Sequence, residues 1–89
     1  MTGLFDLSGK IAIVTGGAGL IGRTLCEALA AHGATVIVVD TERERGETVA
    51  TETAGTLEFH GVDVTSSAAV EGLVTDVLDT HGRIDVLVN

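Results

Sequence analysis

The chain has 89 residues, 45% of them apolar, a mean hydropathy of +0.44 and a formal net charge of −8, with Lys10 as its only lysine. That length holds one small domain or part of one, the apolar content excludes a disordered tail, and the charge repels nucleic acid and anionic membrane surfaces. No apolar run approaches the ~18 residues of a membrane span. Residues 1–6 lack the basic and apolar segments of a secretory leader. A single cysteine, Cys26, makes neither an intrachain disulfide nor a metal cluster, which fits a cytoplasmic, reducing location.

Ile11-Ala12-Ile13-Val14 is a short apolar run that reads as a strand. Residues 20–32 read as a helix, with Ile21, Leu25, Ala28 and Leu29 as the expected buried stripe and Gly33 as its stop. Val36-Ile37-Val38-Val39 is apolar on both faces, as strands of a parallel sheet covered by helices are. Residues 42–53 predict a polar second helix stopped near Gly55, and residues 57–64 hold a third strand. Residues 66–81 carry the strongest helical pattern, with Val70, Leu73, Val74, Val77 and Leu78 recurring at i, i+3, i+4, i+7 and i+8. Thr65 or Ser66 can cap its start, and Gly82 ends it. Residues 85–88 begin a fourth strand. The order β-α-β-α-β-α-β implies right-handed crossovers in an α/β, Rossmann-type, doubly wound parallel sheet. Its expected strand order is 3-2-1-4, with a crevice between strands 1 and 4. Residues 1–89 read as one domain that stops at strand 4. The outer edge of that strand would carry unpaired N–H and C=O groups, so the isolated chain is expected to be marginal, to aggregate, or to be completed by another chain.

The stretch most informative about chemistry is Thr15-Gly16-Gly17-Ala18-Gly19-Leu20-Ile21-Gly22, between the first strand and the first helix. A helix N-terminus offers unpaired N–H groups and the positive end of the dipole, which suits a pyrophosphate. Gly16 and Gly17 allow a tight exit from the strand, Gly19 lets phosphates approach, and Gly22 lets the helix pack against the sheet. Gly17-x-Gly19-x-x-Gly22 alone also describes a plain structural turn. Asp40, at the end of the second strand and 18 residues after Gly22, makes the dinucleotide reading stronger. Its carboxylate can accept hydrogen bonds from both adenosine ribose hydroxyls and would repel a 2′-phosphate, so NAD is expected over NADP. Asp40 can equally cap the second helix. Arg43 and Arg45 lie nearby, where pairing with Glu42, Glu44 or Glu47 competes with any contact to a 2′-phosphate.

Taken together these residues resemble the N-terminal, cofactor-binding portion of the short-chain dehydrogenase/reductase family. The likeness spans nearly the whole chain. Residues 7–17 resemble the family's opening strand and turn, Gly61-Val62-Asp63-Val64-Thr65 its third-strand segment, and Gly82-Arg83-Ile84-Asp85-Val86-Leu87-Val88-Asn89 the approach to its Asn-Asn-Ala-Gly motif. The classical subgroup carries Thr-Gly-x-x-x-Gly-x-Gly, and this chain has Leu20 where the second-last glycine would stand. The spacing Gly16-x-x-Gly19-x-x-Gly22 is the form common in the extended subgroup, yet the later segments look classical, which favours a classical member with a variant loop. The resemblance implies that Asp63 accepts from the adenine amino group and that the Val64 N–H meets the ring. It further implies that Asn89 lies near the adenosine and that the Leu20 and Ile21 backbone donates to the pyrophosphate. Asp63 as a turn residue and Asn89 as a strand-end side chain are the plain structural alternatives.

In this family hydride transfer between an alcohol and a ketone needs a Tyr-x-x-x-Lys pair and a serine. This chain has no tyrosine; Lys10, Ser8, Ser66 and Ser67 stand in the wrong places, so the catalytic residues map to no position in it. Cys26 reads as a packed thiol. His32 and His81 stand at helix ends, His60 in or beside the third strand, and no spacing suggests a metal site. The expectation is the cofactor-binding part of an NAD-dependent oxidoreductase, acting on a small-molecule alcohol or ketone and forming a homo-oligomer when complete. A non-catalytic dinucleotide-binding module and an extended-type nucleotide-sugar epimerase or dehydratase are the alternatives.

Overall fold

In the computed structural model, which describes residues 5–89, four strands alternate with three helices: β1 (Ile11–Thr15), α1 (Leu20–Ala31), β2 (Thr35–Asp40), α2 (Arg43–Glu52), β3 (Thr56–Gly61), α3 (Ser67–His81) and β4 (Val86–Val88). The reading of residues 1–4 lies outside the described residues. The strands form one parallel sheet in the order β3-β2-β1-β4, as the alternation predicts. Among the described residues no helix is long and apolar enough to cross a membrane.

The sheet is covered on both faces, which explains why its central strands lack polar alternation. Ala12, Val14, Val36 and Val38 pack on one face against Cys26 and Ala30 of α1 and Val49 of α2. Ile11, Ile13, Ile37 and Val39 pack on the other against Leu73 and Val77 of α3. The apolar side chains of β1 and β2 therefore meet a helix, whichever way they point.

The buried stripe of α1 differs from the sequence expectation. Ile21, Leu25 and Ala28 are exposed, and the residues that meet the sheet are Cys26 and Ala30, with Leu29 partly buried. Small side chains win this face because they let the helix axis approach the strands; larger ones would hold it off. The stripe of α3 is likewise narrower than expected: Leu73 and Val77 are buried, whereas Val74 and Leu78 are exposed.

Strand 3 ends at Gly61 rather than at residue 64, because Asp63 turns the chain: its Oδ1 accepts from the Thr65 N–H at 2.9 Å and the Thr65 hydroxyl at 2.6 Å. Ser66 caps α3 by accepting from the Ala69 N–H at 3.2 Å, and Gly82 closes it in the left-handed conformation (φ +79°). His81, in the last turn of α3, does more than face the dipole. Its Nε2 lies 3.0 Å from Glu58 Oε1, and His60 Nε2 lies 3.2 Å from the same oxygen, tying α3 to β3. Strand 4 starts at Val86, one residue later than expected. Asp85 clamps it to β1, its carboxylate accepting from the Ile11 N–H at 2.9 Å and its own N–H donating to the Ile11 carbonyl at 2.9 Å. Beyond this clamp β4 lies at the sheet edge, with Leu87 66% exposed.

Candidate functional site

The glycine loop leaves β1 at its carboxyl end and turns sharply into α1. Gly16 makes that turn with φ +67°, a backbone conformation that suits glycine. Gly17 fits for a different reason: a Cβ there would lie 2.8 Å from Val38 Cγ1 and 3.2 Å from the Val14 carbonyl oxygen. The Gly17 N–H is spent on the Val39 carbonyl (3.2 Å), and that of Gly19 on the Gly16 carbonyl (3.1 Å). Gly22 does not seat α1 on the sheet, as the sequence reading expects. It lets α1 close onto the loop, since a Cβ on Gly22 would overlap the Gly16 carbonyl and lie 2.9 Å from Gly17 Cα.

The N-terminus of α1 is bare. Gly19 stands at the cap position and offers no side-chain cap, and no acidic residue lies in the first turn. The first helical hydrogen bond runs from the Arg23 N–H to the Gly19 carbonyl at 2.8 Å. The N–H groups of Leu20, Ile21 and Gly22 precede that bond and have no backbone acceptor among the described residues. Helix α3, by contrast, has its Ser66 cap. An uncapped N-terminus behind a loop without side chains is an anion-binding geometry. The side chains of Leu20 (87% exposed) and Ile21 (76% exposed) stand out into solvent at its mouth.

Asp40 sits beside this loop because β2 pairs with β1, placing its end next to the turn. Its Oδ2 accepts from the Ala18 N–H at 3.1 Å and its Oδ1 from the Glu42 N–H at 2.9 Å. The cap position of α2 itself is Glu42, without a side-chain cap bond, so Asp40 closes the turn before the helix rather than capping it. A carboxylate offers about four acceptor positions, so two remain for a ligand. The Ala18–Asp40 bond escaped the sequence reading, because it depends on the strand register and not on spacing.

A recess of about 180 Å³ opens at the carboxyl ends of β1 and β2, with Gly16, Val39, Asp40, Val62, Asp63 and Val64 in its walls. The structure thus brings together Gly16, Asp40, Asp63 and Val64 from three separate segments. Val39 and Val62 join them, neither having been singled out by sequence. The Thr65 hydroxyl and N–H bonds hold the Asp63 carboxyl below its usual value, so it presents a full negative charge. Asn89 lies across the crevice on β4's end, its Oδ1 accepting from the Thr15 hydroxyl at 3.1 Å, outside the recess walls. No metal-binding group of three His, Cys, Asp or Glu side chains occurs among the described residues. Cys26 is fully buried between α1 and the sheet.

The model of the family described as short chain dehydrogenase matches residues 10–89. The chain belongs to that family. Among curated relatives of this short-chain dehydrogenase chain is short-chain dehydrogenase reductase 3c of Arabidopsis thaliana, 41% identical over 88 residues, covering 98% of this chain and 34% of the relative. Among solved structures, a citronellol catabolism dehydrogenase of Pseudomonas aeruginosa PAO1 superposes with a TM-score of 0.91 at 40% identity, covering all of this chain and 38% of that one. A metagenomic short-chain oxidoreductase in complex with NADP superposes with a TM-score of 0.86 at 36% identity, covering 90% of this chain and 38% of that one. The chain therefore spans about a third of the length of such relatives, and its parallel βα units are the family's Rossmann-type, nucleotide-binding architecture.

Proposed function

We propose that this chain is the dinucleotide-binding portion of an NAD-dependent oxidoreductase that, as a complete protein, moves a hydride between a small alcohol and the corresponding ketone. The residues present fit the cofactor. The free N–H groups of Leu20, Ile21 and Gly22 are donors of the kind a pyrophosphate needs, and Gly19 at the cap position has no side chain to hold a phosphate off. The recess between β1 and β2 would take the adenosine, with Asp40 on the ribose hydroxyls and Asp63 and Val64 on the adenine. The nicotinamide supplies the hydride chemistry when bound; this chain's residues hold the other end.

The observation that carries NAD over NADP is the Asp40 carboxylate in the wall of the recess, hydrogen-bonded to the Ala18 N–H of the phosphate loop. A 2′-phosphate beside it would bring like charges together, whereas a 2′-hydroxyl would donate to it. The neighbour in complex with NADP superposes on this chain, and its cofactor remains a property of that protein.

Calorimetric titration with NAD and NADP tests the reading, on the wild type and on Asp40→Asn. NAD should bind at least tenfold tighter than NADP to the wild type. Asp40→Asn should weaken NAD by about 10- to 100-fold, the loss expected for hydrogen bonds to a charged acceptor. Equal or tighter NADP binding to the wild type would overturn it.

A further inference from the structure

Arg43 opens α2 only three residues after Asp40, and the placement of its cation bears on whether the recess tolerates a second phosphate. Three contacts fix that placement. The guanidinium carbon lies 5.4 Å from the centroid of the Phe59 ring. Nη1 donates to Glu47 Oε1 at 3.0 Å, one helical turn along. Nη2 occupies space beside Gly61, where a Cβ would lie 3.0 Å from it. The Phe59 ring is itself pinned beneath α2, where a Cβ on Gly46 would overlap it. Gly46, Phe59 and Gly61 thus shape a slot along the β3 edge, and Arg43 lies in it.

Gly61 is the register partner of Asp40. Adjacent strands run about 4.8 Å apart, so the cation rests roughly one strand away from the acid. It nevertheless pairs with Glu47. Among the described residues the arginine–carboxylate pairs join Arg23 to Glu27 and Glu52, Arg43 to Glu47, and Arg83 to Asp85, and Asp40 belongs to none. The charged groups in the recess walls are Asp40 and Asp63, both anionic.

We propose that Phe59 and Glu47 are positioning residues that hold Arg43 against the β3 edge, and that this hold strengthens the discrimination against a 2′-phosphate by keeping the Arg43 cation out of the recess. The proposal rests on the dinucleotide reading of that recess. A released guanidinium is a planar fork suited to bidentate phosphate contact. The hold is shallow, because Arg43 and Glu47 are 68% and 55% exposed. An exposed i,i+4 ion pair and an exposed cation–π contact together contribute about five- to tenfold in an equilibrium.

The test compares NAD and NADP affinities by calorimetry for the wild type, for Glu47→Gln/Phe59→Leu, and for that double variant carrying Arg43→Ala as well. Leucine keeps apolar volume beneath Gly46, and glutamine keeps the helix surface. The double variant should shift the affinity ratio about five- to tenfold toward NADP, and adding Arg43→Ala should return the ratio to its wild-type value. Gly61→Ala, which crowds Nη2 at 3.0 Å and meets Phe59 Cε2 only at an ordinary contact distance of 3.6 Å, should shift the ratio the same way, and it carries the test if the double variant fails to fold. An unchanged ratio in a variant that still binds NAD overturns the proposal, as does a gain that survives Arg43→Ala. Arg43→Ala alone weakening NADP tenfold would also overturn it, since the arginine would then already reach the phosphate. A wild type that binds neither dinucleotide refutes the site reading itself, a result visible before any variant is compared.

Discussion

Replacing Gly22 with alanine sets two effects of known sign against each other. Helix propensity alone favours alanine over glycine within a helix by about 0.8–1.0 kcal/mol. Packing opposes it. The new Cβ would overlap the Gly16 carbonyl oxygen and lie 2.8 Å from its carbon and 2.9 Å from Gly17 Cα, where ordinary contact begins near 3.4 Å. These are backbone atoms of a loop that cannot easily yield, because Gly17 is bonded to the Val39 carbonyl and crowded by Val38. Relieving the overlap with the Gly16 carbonyl oxygen requires helix α1 to lift by about 1 Å or more, loosening Cys26 and Ala30 against a close-packed sheet. Overpacking of this kind costs about 1–3 kcal/mol, so packing should outweigh propensity and leave a net loss of about 1 kcal/mol. The ligand should feel more than the fold. The Leu20 and Ile21 N–H groups move with the helix, and losing one charge-assisted hydrogen bond corresponds to about 1.5–3 kcal/mol, or more than tenfold in dinucleotide affinity. Urea unfolding measures the first quantity and calorimetry with NAD the second. A variant that is more stable than the wild type and binds NAD unchanged would refute the reasoning, because propensity would then dominate and the loop–helix approach would constrain nothing.

Two further outcomes are expected. Desolvation, with a contribution from Glu27, pushes the Cys26 thiol up to about 11. Because the thiolate is the reactive form, a disulfide reagent at pH 8 should label the native chain about 100-fold more slowly than a free cysteine, and denaturant should remove the difference; rapid native labelling would contradict this. Burial alone would raise the Glu58 carboxyl, but hydrogen bonds from His81 and His60 outweigh it and hold the group below its usual 4.5. A lowered folded value means that its contribution is complete above the unfolded value and is lost as pH falls through the folded one. The wild type should therefore lose stability below pH 4.5 more steeply than Glu58→Gln, by less than about 1 kcal/mol given the partial exposure. Superimposable urea midpoints across that range would exclude the linkage.

The sheet order was legible in the sequence because it follows from alternation and chain connectivity, and the apolar runs of β1 and β2 leave little choice. The glycine loop and Asp40 were legible for a similar reason, since both are set by short-range spacing around strand ends. The α1 stripe departs from the sequence pattern because hydrophobicity ranks Ile21 and Leu25 above Cys26 and Ala30, while the geometry of close approach ranks them the other way. The end of β3 departs from the sequence pattern because the Asp63–Thr65 bonds turn a segment whose apolar pattern continues to Val64. The Asp85 clamp on Ile11 and the Arg43 slot on Phe59 join distant segments, and no local signal announces either.

The bond from the Ala18 N–H to Asp40 gives one side chain two duties. Asp40 would read the sugar, and it also braces the loop that would grip the phosphates. Selectivity and grip are therefore not independent design variables in this molecule. A substitution chosen only to reverse the cofactor preference removes a strut from the cradle, and a lower affinity for both dinucleotides should accompany the reversed choice. Retargeting would call for a replacement at position 40 that still accepts from Ala18, with the new cation brought in from elsewhere.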